Sequence, residues 1–141
     1  MASGELLKMV LVDTTVWIDF FCGRPLAHVK AFENLLAQRR DICICGIILT
    51  EVLQGIRKDS EFIKTKYLFN SLIFLPMNYS TFIKSAEIYR FLRQKGITIR
   101  KPVDCMIASV ALENDIPLLD NDRDFEPIEQ YLGMNRVKVI S

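Results

Sequence analysis

Several acidic residues stand beside apolar segments of the sequence, where their carboxylates could act together. Asp13 directly follows the apolar run Met9–Val12, and Asp104 lies at the head of a predicted helix. Glu51 lies among apolar residues of another predicted helix. Three more acids follow a later apolar run: Asp120, Asp122 and Asp124. Ligands of open α/β sheets bind beyond the carboxyl ends of the strands, so these acids are predicted to share one crevice.

Carboxylates gathered in one cleft repel one another, and their pKa values rise unless a cation joins them. The only histidine is His28, so a histidine-rich metal site is excluded. Mg²⁺ or Mn²⁺ fits a set of oxygen ligands, with water filling the remaining positions. Such an ion can activate water and neutralise charge on a phosphoryl group, which points to phosphodiester hydrolysis. Asp13, Asp104 and Asp122 would hold metal, and Glu51 would bind metal or orient the attacking water.

Each acid also has a purely structural explanation. Asp13 could cap the helix that follows it, and Asp104 could be a first-turn acid that faces water. Glu51 could lie at the edge of its helix face and reach solvent. The acids at 120–124 could form an ordinary polar turn. Considered together, these explanations weaken, because several strand-end acids are predicted to meet at the same place.

Short apolar segments alternate with helical patterns along the whole chain. The predicted strands are residues 9–12, 41–45, 72–75, 117–119 and 137–140. The predicted helices are residues 14 or 15 to 23, 27–40, 46–57, 60–69, 80–95, 102–114 and a short helix ending at 132. This alternation predicts one α/β domain over residues 1–141, with a mainly parallel sheet covered on both faces and a loose lead-in at 1–8.

Two of the predicted helices carry specific expectations about their apolar faces. From Asp104, steps of 3, 4, 7 and 8 residues predict an inward stripe; its members are Ile107, Ala108, Ala111 and Leu112. The helix at 60–69 has its own apolar set: Phe62, Ile63, Tyr67 and Leu68. Thr14 or Thr15 is predicted to cap the first helix.

The composition is that of an ordinary globular protein, and its net charge is only +1. A nucleic-acid binder usually has a basic excess, so a role on RNA would need local basic residues. Arg100 and Lys101, just ahead of Asp104, are the first candidates, followed by Arg123 and the pair Arg57-Lys58.

Cysteine spacing and hydropathy indicate the compartment. The four cysteines show no C-x-x-C spacing, and we predict that they are reduced thiols. The longest apolar run, residues 42–49, falls well short of the roughly 20 residues that span a membrane. No signal peptide is evident at the N-terminus. We therefore expect a cytoplasmic protein with no membrane partner.

Four segments occur in an order typical of one family: residues 12–19 (VDTTVWID), 50–55 (TEVLQG), 104–108 (DCMIA) and 121–125 (NDRDF). The chain resembles PIN-domain proteins, and in particular the VapC-type toxins of bacterial toxin–antitoxin pairs. The resemblance covers the chain from about Met9 onward. It implies a three-layer α/β/α fold around a mainly parallel sheet of four to five strands.

The resemblance also implies an activity, a cofactor and partners. The activity is that of a Mg²⁺- or Mn²⁺-dependent endoribonuclease, which inhibits translation until a cognate VapB-type antitoxin occupies its groove. The family also implies a homodimer, and an antitoxin tail that presents an Arg or Lys to the acidic pocket. By motif position the acidic quartet falls on Asp13, Glu51, Asp104 and Asp122. The small hydroxyl residue near the first acid falls on Thr15, and Asp124 matches a supporting acid.

Asp120 departs from the family pattern, which commonly has a hydroxyl residue two positions before the fourth acid. The extra carboxylate adds negative charge near the site and allows a second metal or an altered metal affinity. It also leaves open the choice among Asp120, Asp122 and Asp124.

Two other classes of function stay open at this point. A PIN domain could bind RNA or a protein partner without cutting, although the presence of all four acids argues against this. A phosphotransfer enzyme or receiver could use Asp13 as a phospho-acceptor. That alternative lacks a second acid at the expected position, because Thr15 stands there and no acid adjoins Asp13.

Overall fold

The computed structural model describes residues 8–140 as strands and helices in alternation. The strands are β1 (Met9–Val12), β2 (Asp41–Cys45), β3 (Ile73–Leu75) and β4 (Leu118–Leu119). The helices are α1 (Thr14–Phe21), α2 (Ala27–Ala37), α3 (Gly46–Gln54), α4 (Asp59–Asn70), α5 (Tyr79–Gln94), α6 (Pro102–Asn114) and α7 (Glu126–Leu132). A 3₁₀ turn, Arg123–Phe125, precedes α7. All but Lys8 of the predicted lead-in lies outside the described residues.

The four strands form one parallel sheet in the order β3-β2-β1-β4. The chain adds β2 and β3 on one side of β1 and then crosses to place β4 on the other side. The order of the strands therefore reverses between β1 and β4. This is the kind of position at which open α/β sheets form a ligand crevice beyond their carboxyl ends.

The strands are apolar because helices cover the sheet on both faces. Leu11, Ile44 and Cys45 have no exposed surface, and their strands read as nearly continuous hydrophobic runs. Trp17 of α1 packs against Phe32 of α2 and Phe69 of α4, with ring centroids 4.9 and 4.8 Å apart. These contacts confirm the predicted α/β class. The four cysteines are free thiols, as predicted.

The buried surface of helix α6 is wider than the single stripe of residues that was predicted. Ile107, Ala108 and Ala111 are buried as predicted, but Ser109 and Val110 between them are buried too. The Ser109 hydroxyl donates to the Cys105 carbonyl oxygen within the helix, which satisfies this buried polar group. The helix at whose head Asp104 stands is thus packed along most of its middle, whereas Leu112 of the predicted stripe is only half-buried.

Two predictions about the ends of elements are wrong. The predicted strand at 137–140 does not form, and a single parallel bridge joins Leu118 to Arg136 instead. Because β4 is only two residues long, it offers few backbone groups for a fifth strand to pair with. The N-cap of α1 is Asp13 rather than Thr14 or Thr15.

The prediction for the apolar set of α4 is also wrong. Its buried residues are Thr65 and Phe69, whereas Ile63 and Tyr67 are 64% and 82% exposed. Apolar residues occur on more than one side of this helix, so the sequence did not specify which side faces the core. The exposed side therefore presents an apolar surface to solvent.

Across the part of the chain that the structure describes, no helix is long and apolar enough to cross a membrane.

Candidate active site

The crevice between β1 and β4 carries acidic residues on both sides. Asp13 follows β1, and its backbone N–H donates to the Leu119 carbonyl oxygen of β4 at 2.9 Å. This hydrogen bond joins the ends of the two strands. Asp13 and Asp122 are 4% and 9% exposed. The fold therefore buries both of these predicted site residues.

Asp104 enters the same site from the first turn of α6. Pro102 stands at the start of this helix, where its missing N–H costs nothing. The Asp104 side chain is only 3% exposed, so it does not face water as the structural explanation would have it. Its Oδ2 atom is buried and has no hydrogen-bond partner among the described residues. A buried carboxylate oxygen in this condition calls for a ligand.

Asp104, Asp122 and Asp124 form a group that could hold a metal ion. One carboxylate oxygen from each lies within 4.8 Å of the other two. The Asp124 backbone N–H donates to Asp122 Oδ1 at 2.9 Å and fixes that carboxylate. Oxygen donors alone suit a hard divalent cation such as Mg²⁺. The residues present fit such an ion, and the unpartnered oxygen of Asp104 supports this.

Burial and mutual repulsion shift the protonation of two of the acids. Burial, together with the charges of Asp120 and Glu51, raises the pKa of Asp13 to about 7. Burial, together with the charges of Asp122, Asp13 and Asp124, raises the pKa of Asp104 to about 7. Burial is the largest cause of both shifts, and the charges of acids distant in the chain add to it.

Two basic residues at the head of α6 contact the acids directly. The Lys101 Nζ atom lies 2.7 Å from Asp122 Oδ2. Arg100 donates its backbone N–H to Asp124 Oδ2 at 3.2 Å, and its Nη2 lies 3.7 Å from Asp122 Oδ1. Although burial acts to raise the pKa of Asp122, the Lys101 hydrogen bond and nearby positive charges hold it below the usual value. The first two residues predicted to contact RNA, Arg100 and Lys101, therefore also contact the acids.

Glu51 approaches the site from α3 and is held by a threonine. The Thr14 hydroxyl donates to Glu51 Oε1 at 2.7 Å, and the charge of Glu51 acts on Asp13. Glu51 lies outside the group of three acids that could share one ion. The predicted hydroxyl residue, Thr15, lies 3.4 Å from Asp13 Oδ2 through its Oγ1. The sequence pattern directed attention to Thr15 and missed the contact of Thr14 with Glu51.

Asp120 is engaged by an arginine that sequence analysis missed. Arg136 donates from Nη2 to Asp120 Oδ1 at 2.7 Å and from Nε to Asp120 Oδ2 at 2.9 Å. Asp120 Oδ1 also accepts the Asp122 backbone N–H at 3.1 Å. The negative charge that Asp120 adds is therefore paired, and Asp120 positions the loop that carries Asp122. No local sequence motif predicts this role of Arg136, because Arg136 comes near Asp120 only through the pairing of residue 136 with β4.

The remaining predicted residue, Arg123, lies beside the acids without a hydrogen bond or ion pair to them among the described residues. It is exposed and lines an adjoining groove of about 470 Å³ together with Asp122, Glu126, Arg136 and Lys138. The groove extends from the acidic crevice along the C-terminal segment. The structure thus groups Asp104, Asp122 and Asp124, leaves Asp13 and Glu51 outside that group, and places basic residues at the rim.

Fold and site together define a parallel α/β protein with buried carboxylates pooled where the strand order reverses. The sequence profile of the PIN domain matches residues 10–130. This match spans most of the chain and includes all the predicted acids. The chain belongs to the PIN domain family.

Curated relatives and solved structures agree with this assignment. The chain is 31% identical over 128 residues to VapC ribonuclease Mb1587 from Mycobacterium bovis, covering 89% of this chain and 96% of the relative. Ribonuclease VapC11 from Mycobacterium tuberculosis matches with the same identity and coverage. The fold is similar to VapBC2 from Rickettsia felis bound to a promoter DNA fragment, with a TM-score of 0.72 at 22% identity over 94% of this chain and 99% of that one. DNA-bound VapBC from Salmonella typhimurium has a TM-score of 0.65 at 25% identity, over 93% of this chain and 97% of that one.

Proposed function

We propose that this protein is a divalent-metal-dependent endoribonuclease of the VapC toxin type, which hydrolyses RNA phosphodiester bonds and inhibits translation. The observation that carries the proposal is the group formed by the buried Asp104 and Asp122 with the half-buried Asp124, in which one Asp104 oxygen lacks a hydrogen-bond partner among the described residues. The relatives that are 31% identical are named ribonucleases. Their names and the acidic chemistry therefore point to the same reaction.

The proposed roles follow from the position of each side chain. Asp104 and Asp122 would hold the metal, Asp124 would support them from the 3₁₀ turn within the same group, and Asp13 is proposed as a further ligand from the end of β1. Glu51, fixed by the Thr14 hydroxyl, either completes the metal site or orients the attacking water. Asp120 positions the Asp122 loop through its backbone contact. A bound Mg²⁺ or Mn²⁺ ion would activate water and neutralise charge on the phosphoryl group.

RNA would be bound through the basic residues at the rim of the crevice. Arg100 and Lys101 are exposed, and they lie beside the acids rather than on a distant surface. Arg123 lies along the adjoining groove. Phosphate contacts supply most of the sequence-independent affinity for nucleic acid, so these cations would direct the backbone towards the acids.

We further propose a VapB-type antitoxin as the inhibiting partner and a homodimer as the assembly, acting in the cytoplasm. VapBC proteins are among the solved structures with the same fold. The Lys101 ammonium on Asp122 shows that the acidic pocket can accept a basic side chain. An antitoxin Arg or Lys could be accepted in the same way. Sedimentation velocity of the protein alone and with its antitoxin tests both assemblies.

The decisive experiment compares Asp104→Asn with Asp115→Asn in an RNA cleavage assay with Mg²⁺, Mn²⁺ or EDTA. Asp115 is exposed at the C-cap of the same helix, in a left-handed conformation that Asn adopts readily. We expect the wild type and Asp115→Asn to cut RNA with metal and not with EDTA. Asp104→Asn should fold, as judged by circular dichroism, and lose at least about 100-fold of the activity.

Full activity of Asp104→Asn would overturn the assignment of the site. If the wild type binds RNA but cuts none under any metal condition, the protein is instead a binding module.

A further inference from the structure

Lys101 lies at the rim of the acidic crevice, and its ammonium is directed onto the acids. Its ammonium makes an ion pair with Asp122 at 2.7 Å, and its positive charge also acts on Asp104 and Asp13. The Asp122 side chain is 8% exposed and that of Lys101 is 50% exposed. The ammonium therefore reaches the buried carboxylates from the solvent side. The single positive charge of Lys101 interacts with three of the acids that we assign to the metal.

The backbone around Lys101 is fixed, whereas its side chain can move. The Lys101 carbonyl oxygen accepts the Asp104 N–H at 2.9 Å, and Pro102 follows at the start of α6. On the other side, the Arg100 N–H is bound to Asp124 Oδ2. A lysine ammonium is a compact charge on a flexible four-carbon stem, so it can leave Asp122 without any change in the backbone.

We propose that the Lys101 ammonium and the divalent metal ion compete for Asp122, and that metal binding releases Lys101 to contact a phosphate of the substrate. Two cations on one carboxylate repel each other, so an ammonium on Asp122 and an ion on the same carboxylate each weaken the binding of the other. Before metal binds, Lys101 neutralises the pooled carboxylates. After metal binds, the same ammonium stands at the mouth of the site as a positioning residue for the substrate.

The first half of the proposal concerns only metal binding and does not depend on the nuclease activity. The second half, the phosphate contact, rests on the proposed function. The two halves therefore need separate measurements.

The metal half is tested by titration calorimetry with Mn²⁺ at pH 8, using purified full-length protein. Lys101→Gln removes the ammonium, Lys101→Arg keeps a cation, and Lys30→Gln makes the same charge change at an exposed site on α2. We expect Lys101→Gln to bind Mn²⁺ about fivefold more tightly than wild type, the scale of a partly exposed ion pair. Lys101→Arg and Lys30→Gln should stay within about twofold of wild type. Equal or weaker Mn²⁺ binding by Lys101→Gln than by Lys30→Gln would overturn the proposal.

The substrate half is tested by the anisotropy of a short fluorescent RNA, in Ca²⁺ and in EDTA. Because Lys101 is held by Asp122 without metal, Lys101→Gln should lose RNA affinity mainly in Ca²⁺, and Lys101→Arg should restore it. An equal loss in both conditions would show that the ammonium is not released by metal. If Lys101→Gln binds Mn²⁺ more tightly but the wild type never cuts RNA, the competition stands and the nuclease function falls.

Discussion

Asp104 combines a buried side chain with a pKa raised to about 7, whereas a free aspartate has a pKa near 3.8. The folded protein therefore holds a proton at this residue more tightly than the unfolded chain does. Between these two pKa values, stability falls as pH rises, because the unfolded chain releases its proton while the folded state keeps it. In the absence of metal, the site is thus a source of instability at neutral and alkaline pH.

Asp104→Asn should remove this dependence. In EDTA, we compare the free energy of unfolding of Asp104→Asn with that of wild type. The difference, variant minus wild type, should be about 2 kcal/mol larger at pH 8 than at pH 5. Urea unfolding at the two pH values measures the difference, with Asp115→Asn as the matched control on the same helix. The raised pKa of Asp104 would be contradicted if the difference in free energy of unfolding between Asp104→Asn and wild type were the same at both pH values. It would also be contradicted if the variant were less stable than wild type at pH 8.

The acids of the site could be predicted from the sequence, but their counter-ions could not. Asp13 and Asp122 follow apolar strands, and parallel strands bring their carboxyl ends to one edge, so their convergence follows from the pattern. Arg136 is different, because its contact with Asp120 depends on where the C-terminal segment lies beside β4. Lys101 was predicted to be near the site through its neighbour Asp104. Its contact with Asp122 depends on the path of a long side chain, which no local pattern specifies.

At the scale of elements, the C-terminal segment is attached to the sheet by both backbone and side-chain hydrogen bonds. Residue 136 forms one bridge with β4, while the Arg136 guanidinium binds Asp120 through two nitrogens. The Asp120 side chain is 1% exposed, so the Arg136 guanidinium takes the place of the water that burial removes from it. The predicted fifth strand at 137–140 is therefore replaced by a charged attachment directly behind the Asp122 loop.

Arg136→Gln should be strongly destabilising, because it leaves the Asp120 carboxylate buried without a cation. We expect a loss of about 3 kcal/mol in the free energy of unfolding, measured by urea at pH 7.5. Arg57→Gln, which changes an exposed arginine, should have an effect below about 0.5 kcal/mol. The double variant Asp120→Asn with Arg136→Gln should recover most of the loss, since the unpaired charge is gone. A double variant as unstable as Arg136→Gln alone would show that the arginine acts through packing instead.

The reversal of strand order explains why one site can collect residues from the whole chain. Asp13 comes from the N-terminal strand, Asp104 from a helix after β3, and Asp122 from beyond β4 at the other side of β1. The alternation of short apolar runs and helices predicted this sheet, since both its faces must be covered.

The orientation of α4 was not predictable in the same way. Its exposed residues, Ile63 and Tyr67, are as apolar as its buried ones, and such a surface suits a protein partner.

Because the acids come from separate elements, metal binding should stabilise the whole fold, and the effect should depend on pH. A ligand that binds only the folded state raises stability with its concentration relative to the dissociation constant. Asp13 and Asp104, with pKa values of about 7, must lose their protons before they bind an ion. Protonation of each of these two aspartates should therefore weaken Mg²⁺ binding by about tenfold at pH 6 relative to pH 8.

The measurement is the rise in melting temperature on adding Mg²⁺ to EDTA-treated protein at the two pH values. We expect a clear rise at pH 8 and little or none at pH 6 for the wild type and for Asp115→Asn. Asp104→Asn should show almost no rise at either pH, since it lacks the carboxylate whose buried oxygen has no other partner. Equal stabilisation by Mg²⁺ at pH 6 and pH 8, or in Asp104→Asn and Asp115→Asn alike, would mean that the ion binds elsewhere. In that case the pooled carboxylates could not be the metal centre that the proposed chemistry requires.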